Sequence, residues 1–80
     1  MPTVLRWNGF RFYFFSNEGF EPAHIHVDKD NNTAKFWLGP VSLARNIGFS
    51  PRELRILELK VVEERTRFME AWDEYFGRTA

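Results

Sequence analysis

Residues 22–28 read Pro-Ala-His-Ile-His-Val-Asp and contain the only two histidines of the 80-residue chain. Side chains alternate across a β-strand, so His24, His26 and Asp28 share one face of an extended segment. The two apolar residues between them, Ile25 and Val27, point the other way. The stretch therefore predicts a strand with one polar face and one face buried in the core.

The segments around this strand have the same two-residue period, with apolar and polar residues alternating. Asn8-Gly9 is typical of a two-residue hairpin turn, because both positions of that turn need a positive φ. The pattern predicts a mostly antiparallel sheet of four to five strands within residues 3–45. The predicted strands are Thr3–Trp7, Phe10–Phe15, His24–Asp28, Thr33–Leu38 and Val41–Arg45.

The period changes to 3.6 residues in the last third of the chain. Ser50, Pro51 and Glu53 supply an N-cap serine, a proline at the first helical position and the glutamate of a capping box. The pattern predicts one long helix over residues 51–76, ended by Gly77. Its apolar stripe consists of Leu54, Leu57, Val61, Phe68, Trp72 and Tyr75.

The order of strands followed by a helix indicates an α+β fold, in which the single long C-terminal helix packs on one face of the sheet. Residues 1–80 are predicted to form one domain. A domain of this size has a small core. Nine phenylalanines and three tryptophans compensate, because aromatic side chains bury large apolar areas.

The composition excludes several classes of protein. The absence of cysteine excludes disulfides and thiolate chemistry. Lys+Arg and Asp+Glu both count 11, so net charge does not steer the protein toward nucleic acid or anionic lipid. No apolar run approaches the ~20 residues that cross a membrane. We predict a cytoplasmic protein with no membrane partner, whose near-zero charge favours self-association or a protein partner.

The histidine pair is the main candidate for chemistry, because two neighbouring imidazoles can bind a metal, transfer a proton or hydrogen-bond to a partner. A metal site with His24 and His26 needs further ligands, for which Asp28 is the predicted residue and Glu18 and Glu21 are local alternatives. No organic cofactor is predicted, and a divalent metal ion is the alternative that the residues leave open. The pair is equally compatible with a purely structural hydrogen-bonding element.

An enzymatic alternative uses His24 and His26 as metal ligands or as acid and base, with Arg65 or Arg11 holding a phosphate. The protein would then be a metal-dependent hydrolase or a toxin-like ribonuclease. Arg65 also has a structural interpretation, because it falls on the apolar stripe of the helix. A charge there must reach solvent or find a partner such as Glu58.

Strand alternation also predicts a binding face on the histidine side of the sheet. Its members are Arg11, Tyr13, Phe15, Lys35 and Trp37. Aromatic and cationic side chains together can stack on bases, but the same residue types anchor protein interfaces. One helix leaves this face uncovered, so we favour a protein partner or self-association, with nucleic-acid binding as a second alternative.

Several motifs together resemble one family of small proteins over nearly the whole chain. They are Met1-Pro2-Thr3-Val4, the block from Glu18 to Val27, Ala34–Leu38, Gly48-Phe49-Ser50 with Glu53-Leu54, and Trp72. The chain resembles the small bacterial proteins of the domain-of-unknown-function 4160 family, in which a second proline usually stands where Ala23 is found here. The resemblance implies a gene beside another small gene, as in toxin–antitoxin pairs. We therefore expect an interaction module that binds the small protein encoded by the neighbouring gene, or a second copy of itself.

Overall fold

The structure is a computed structural model and describes residues 3–77. Residues 1–2 and 78–80 belong to the predicted domain 1–80 but lie outside the described residues. Five strands are followed by two helices. The elements are β1 (Thr3–Trp7), β2 (Phe10–Tyr13), β3 (His24–Lys29), β4 (Asn32–Leu38), β5 (Val41–Ile47), α1 (Pro51–Glu63) and α2 (Arg65–Phe76).

The five strands form one antiparallel sheet in chain order, β1-β2-β3-β4-β5. Asn8 and Gly9 join β1 to β2 with φ values of 51° and 82°, as the hairpin signal predicts. The antiparallel sheet is confirmed, and it has the larger of the two predicted strand numbers. Its last strand continues to Ile47 instead of ending at Arg45.

The core lies between one face of the sheet and the two helices. Alternate strand residues enter it, as predicted from the sequence. The buried members from the strands are Phe10, Phe12, Ile25, Val27, Ala34, Phe36 and Leu38, and those from the helices are Leu57, Val61, Phe68 and Trp72. The rings of Phe12 and Phe68 stack with centroids 5.4 Å apart, which joins α2 to the middle of the sheet.

The prediction of one long helix over residues 51–76 is wrong, because the structure has two helices. The predicted start is correct: Glu53 N donates to Ser50 Oγ at 3.1 Å, and Ser50 N donates to the Glu53 carboxylate at 3.0 Å. The helix is interrupted at Glu64, whose φ of −99° and ψ of 12° fall in the sparsely populated bridge region.

Arg65 gives a physical reason for this interruption. Its position on the apolar stripe directs a charged side chain toward the sheet, where it needs partners. Arg65 Nε donates to the carbonyl of Leu38 at 2.6 Å, and Nη2 donates to the carbonyl of Gly39 at 2.8 Å. The break at Glu64 accompanies this anchoring, while Phe68 one turn later stays buried. The partner of Arg65 is thus the backbone between β4 and β5, not Glu58.

Candidate functional site

The sheet face opposite the helices forms an open recess of about 700 Å³. Four of the five residues predicted for the binding face line it, namely Tyr13, Phe15, Lys35 and Trp37. The remaining lining residues are Glu18, Glu21, His26, Asp28, Thr33, Ala34, Ala44, Arg45 and Ile47. The strands thus bring most of the predicted face together and add carboxylates to it.

Arg11, the fifth predicted member, lies beside the recess rather than in its lining. Its guanidinium carbon is 4.4 Å from the centre of the Tyr13 ring, a cation–π distance. Its Nε donates to the Thr3 hydroxyl at 2.8 Å, so the side chain is held against β1. Arg11 therefore covers Tyr13 from one side.

The two histidine rings lie side by side, with centroids 5.1 Å apart and planes 89° apart. His24 is fully buried and packs between Trp37 at 5.7 Å and Trp72 at 4.8 Å. His26 is partly buried and stacks on Tyr13 at 5.4 Å. Aromatic contacts on several sides fix both ring planes. The placement agrees with strand alternation, and a binding or catalytic role for the pair stays a prediction.

Glu18, from the loop between β2 and β3, joins both histidines through one oxygen atom. Its Oε1 lies 2.8 Å from His24 Nε2 and 2.9 Å from His26 Nε2. The three atoms that can bind a metal lie within 4.8 Å of one another. Within residues 3–77 this is the one such group of three histidine or acidic side chains.

Local geometry of the loop holds Glu18 at this position. Glu18 N donates to the carbonyl of Phe15 at 3.3 Å, and Glu21 N donates to the carbonyl of Glu18 at 3.1 Å. The next residue, Gly19, lies against the ring of Phe76, and a Cβ at Gly19 would overlap that ring. Glycine is therefore needed for the loop to approach the end of α2.

Burial and hydrogen bonds within the cluster shift the pKa values of Glu18 and His26. Burial by itself raises the pKa of the Glu18 carboxyl, but hydrogen bonds to His24 and His26 outweigh it, and the pKa lies below its ordinary value. Burial lowers the pKa of the His26 imidazole, and the hydrogen bond to Glu18 offsets this only in part. These directions favour Glu18 as an anion and His26 as a neutral ring near pH 7.

Asp28, the predicted third metal ligand, has different partners. Its carboxylate accepts hydrogen bonds from the Tyr13 hydroxyl at 3.0 and 3.1 Å and from the Thr33 hydroxyl at 2.6 Å. Burial, followed by the interaction with Asp28, raises the pKa of the Tyr13 phenol. Asp28 is on the predicted face but does not belong to the group of three donors, where Glu18 takes its place.

Glu21, the other local alternative, lies on the opposite side of the His24 ring. Its Oε1 is 3.7 Å from His24 Nδ1, and it accepts a hydrogen bond from Lys35 Nζ at 2.7 Å. Lys35 Nζ also lies 4.4 Å from the centre of the Trp37 ring. Glu21 is thus paired with a cation of the recess and faces the nitrogen of His24 that does not point at Glu18.

A family model described as Domain of unknown function (DUF4160) matches residues 9–73. The chain belongs to the DUF4160 family. The matched range contains Glu18, both histidines and every strand except β1. No curated protein and no solved structure matches the chain.

Arg65, predicted as a phosphate-binding residue, lies on the helix-covered side of this DUF4160 chain. Its guanidinium donates to the carbonyls of Leu38 and Gly39 and does not line the recess. These contacts support the structural interpretation of Arg65. Neither helix within residues 3–77 is long and apolar enough to cross a bilayer.

Sequence reasoning missed the contribution of β5 to the recess in this DUF4160 chain. Arg45 and Ile47 both line it. Pairing between β4 and β5 shifts from Lys35 with Arg45 to Phe36 with Leu43, so one residue of β5 is extra. Such a bulge reverses the alternation of side chains beyond it. The β-branched Ile47 was the available signal that the strand continues past Arg45.

Proposed function

We propose that this protein is an interaction module whose open sheet face binds a protein partner, as one half of a toxin–antitoxin-like pair encoded by neighbouring genes. The supporting observation is that, within residues 3–77, the helices cover one face of the sheet only. The other face has a recess that contains Tyr13, Phe15 and Trp37. An antiparallel sheet commonly exposes one polar face, but an aromatic-rich face is typical of a binding surface.

The charges of the recess favour a protein over a nucleic acid. Three carboxylates and two cationic side chains line it, namely Glu18, Glu21, Asp28, Lys35 and Arg45. Lys35 is already paired with Glu21 at 2.7 Å. A nucleic-acid site needs an excess of cations to contact phosphates. A surface that mixes both signs with aromatic side chains is better suited to a protein with complementary charges.

Two side chains are the strongest candidates for anchors in such an interface. Trp37 is partly buried in the recess, and tryptophan is enriched among residues that dominate binding energy. Ile47 is 48% exposed at the edge of the sheet, so a partner could bury it further. We expect the partner to cover both.

The experiment is co-expression of the untagged protein with the product of the neighbouring small gene, followed by size-exclusion chromatography with light scattering. We expect a stable complex of the two proteins. Ile47→Asp should weaken the measured Kd at least about tenfold, which corresponds to about 1.4 kcal/mol. The matched control is Leu59→Asp, because Leu59 is 67% exposed on α1, away from the recess.

Three results would contradict the proposal. If Ile47→Asp and Leu59→Asp weaken the complex equally, or if neither weakens it, the interface lies elsewhere. A dimer of the protein alone that is lost in Ile47→Asp would make self-association the function of this face. Binding of single-stranded RNA that falls steeply with salt would favour the nucleic-acid alternative.

A second candidate is a metal-dependent hydrolase, favoured by the convergence of Glu18, His24 and His26. The toxin-like form of this hypothesis predicts growth arrest when the protein is expressed without its partner. Replacement of both histidines in His24→Ala/His26→Ala should abolish the arrest. If the double variant, present at the same soluble level, arrests growth like the wild type, catalysis by the pair is wrong.

A further inference from the structure

The hydrogen bond between His24 and Pro22 determines which nitrogen of the buried ring carries the proton. His24 Nδ1 lies 2.9 Å from the carbonyl oxygen of Pro22, and a carbonyl can only accept a hydrogen bond. Nδ1 therefore carries the hydrogen. The other ring nitrogen, Nε2, points toward Glu18.

The contact between His24 and Glu18 can accommodate a cation. Nε2 of His24 is 2.8 Å from Glu18 Oε1, and an imidazole nitrogen and a carboxylate oxygen can each accept a hydrogen bond or bind a metal. Two acceptors at this distance repel unless a proton or a metal ion lies between them. Nε2 of His26 approaches the same oxygen at 2.9 Å, so one ion can contact all three side chains.

The donor set is one that first-row transition metals prefer. Two imidazole nitrogens and one carboxylate oxygen hold zinc in many catalytic sites and iron in non-haem oxygenases. Metal-bound histidines usually donate the other ring N–H to a carbonyl or carboxylate, which fixes the ring and its tautomer. The contact from His24 to Pro22 already has this form.

The surroundings hold the donors in place. Both histidines lie on β3, with ring planes fixed by aromatic neighbours: Trp37 and Trp72 for His24, and Tyr13 for His26. The side chain of His24 is fully buried, whereas that of His26 is 12% exposed. Two of the three donors are therefore on a rigid strand with packed rings, and Glu18 is held by the hydrogen bonds of its loop.

We propose that Glu18, His24 and His26 bind one divalent transition-metal ion, with Zn²⁺ as the best-fitting ion. The ligands are Nε2 of each histidine and the Glu18 carboxylate. Glu18 and His26 line the recess, so an ion held by them is accessible from it. Three protein ligands leave room for a water molecule or another exchangeable ligand. This site is independent of the docking proposal and is a prerequisite only of the hydrolase alternative.

The test uses the untagged protein, because a histidine tag binds the same ions. After removal of metal with a chelator, Zn²⁺ is titrated by calorimetry and the melting temperature is measured with and without it. We expect one Zn²⁺ per chain and a rise in Tm of roughly 10–20 °C at a free concentration about 100 times Kd. Mg²⁺ should give no comparable rise, because it prefers sites made of oxygen ligands.

Two variants test the proposed ligands other than His24, because replacing that fully buried ring would leave a cavity. Glu18→Gln and His26→Gln are expected to weaken Zn²⁺ binding at least about 100-fold. Loss of a residue that only hydrogen-bonds to a metal ligand typically weakens binding less than this. Cobalt supplies a spectroscopic check. Co²⁺ should give intense visible absorption in the wild type, as in sites of low coordination number, and only weak absorption in both variants.

Asp28→Asn and Glu21→Gln are the matched controls. Asp28 accepts from Tyr13 and Thr33, and Glu21 lies on the Nδ1 side of His24. Each control removes one negative charge near the cluster but no proposed ligand. Both should keep one Zn²⁺ per chain with affinity within a few-fold of the wild type. Circular dichroism of each metal-free variant verifies that it is folded.

Two outcomes would overturn the site. If Zn²⁺ binds the folded wild type no more tightly than it binds His26→Gln, a proton and not a metal holds the cluster together. If Asp28→Asn reduces affinity as much as Glu18→Gln, general charge attraction explains the binding. Loss of Zn²⁺ binding in Glu18→Gln with an intact protein complex would support the metal site and leave the docking proposal unaffected.

Discussion

The two faces of the sheet are built from the same strands but have different physical character. On the helix-covered face, Phe12, Ile25 and Phe36 are completely buried. The residues that follow them in the strands lie on the open face, where Tyr13 and His26 form hydrogen bonds. The strand backbone is the same for both faces, so the difference in burial and polarity comes from the side chains. Alternate residues of one strand can therefore serve stability and binding separately.

His24 is the exception, because it connects the two faces at one end of β3. Its ring contacts Trp37, which lines the recess, and Trp72, which belongs to the core. A change at this end of the sheet should affect both stability and the candidate site. Changes at the middle of either face should affect one of them.

The largest expected effect comes from removing a core ring. Phe12→Ala should lower the free energy of unfolding by about 3–5 kcal/mol, because it removes a fully buried side chain that stacks on Phe68. Phe15→Ala, on the partly buried open side, should cost clearly less. Urea denaturation with unchanged m values measures both. Equal losses would mean that the open face contributes as much to stability as the core does.

The next effect tests the anchor of α2. Arg65→Met should cost about 2–3 kcal/mol, because two charged hydrogen bonds to the carbonyls of Leu38 and Gly39 are lost. Arg67→Met is the matched control, since Arg67 is more than half exposed and pairs with Glu64 on the helix surface. That change should cost less than about 1 kcal/mol. Similar values for the two variants in urea denaturation would refute the anchoring role.

A smaller effect is expected at the point where the β2–β3 loop meets α2. Gly19→Ala should cost roughly 1–2 kcal/mol, because the new methyl overlaps the Phe76 ring and forces the loop away. Displacement of the loop should also move Glu18 and weaken Zn²⁺ binding. Gly39→Ala is the control, because a Cβ there meets no atom within 4 Å. Thermal unfolding and zinc titration of both variants measure the two effects.

The smallest expected effect concerns the open face alone. Tyr13→Phe removes the hydroxyl that donates to Asp28 and should cost about 1 kcal/mol. The ring and its stacking on His26 are kept, so Zn²⁺ affinity should be unchanged. Tyr75→Phe, at a position 51% exposed, should be nearly neutral in urea denaturation. A large loss of zinc affinity in Tyr13→Phe would contradict the exclusion of Asp28 from the site.

The parts of the fold that depend on local sequence were predictable. The Asn8-Gly9 turn needs only the positive φ of two neighbouring residues, and the capping box needs only Ser50 and Glu53. Burial of Ile25 follows from the two-residue period within one strand. Each of these depends on residues a few positions apart, so a pattern in the sequence is sufficient.

The remaining features depend on contacts between distant segments. Arg65 follows the helix break at Glu64 and donates to carbonyls 26 and 27 residues earlier in the chain. The choice of Glu18 over Asp28 depends on how the β2–β3 loop folds back against Phe76. Neither contact can be predicted from the spacing of apolar and polar residues in the sequence. The shared strand face of the two histidines was therefore predictable, but which of the three candidate carboxylates lies against both rings was not.

The chain-order arrangement of the strands has a consequence for how the protein folds. Each strand pairs with its immediate successor, so the sheet assembles by closing short loops. The segments that shield its apolar side, α1 and α2, follow all five strands in the chain. During synthesis the strands therefore emerge before the helices that cover their phenylalanines. That interval is when the nascent protein is most prone to aggregation.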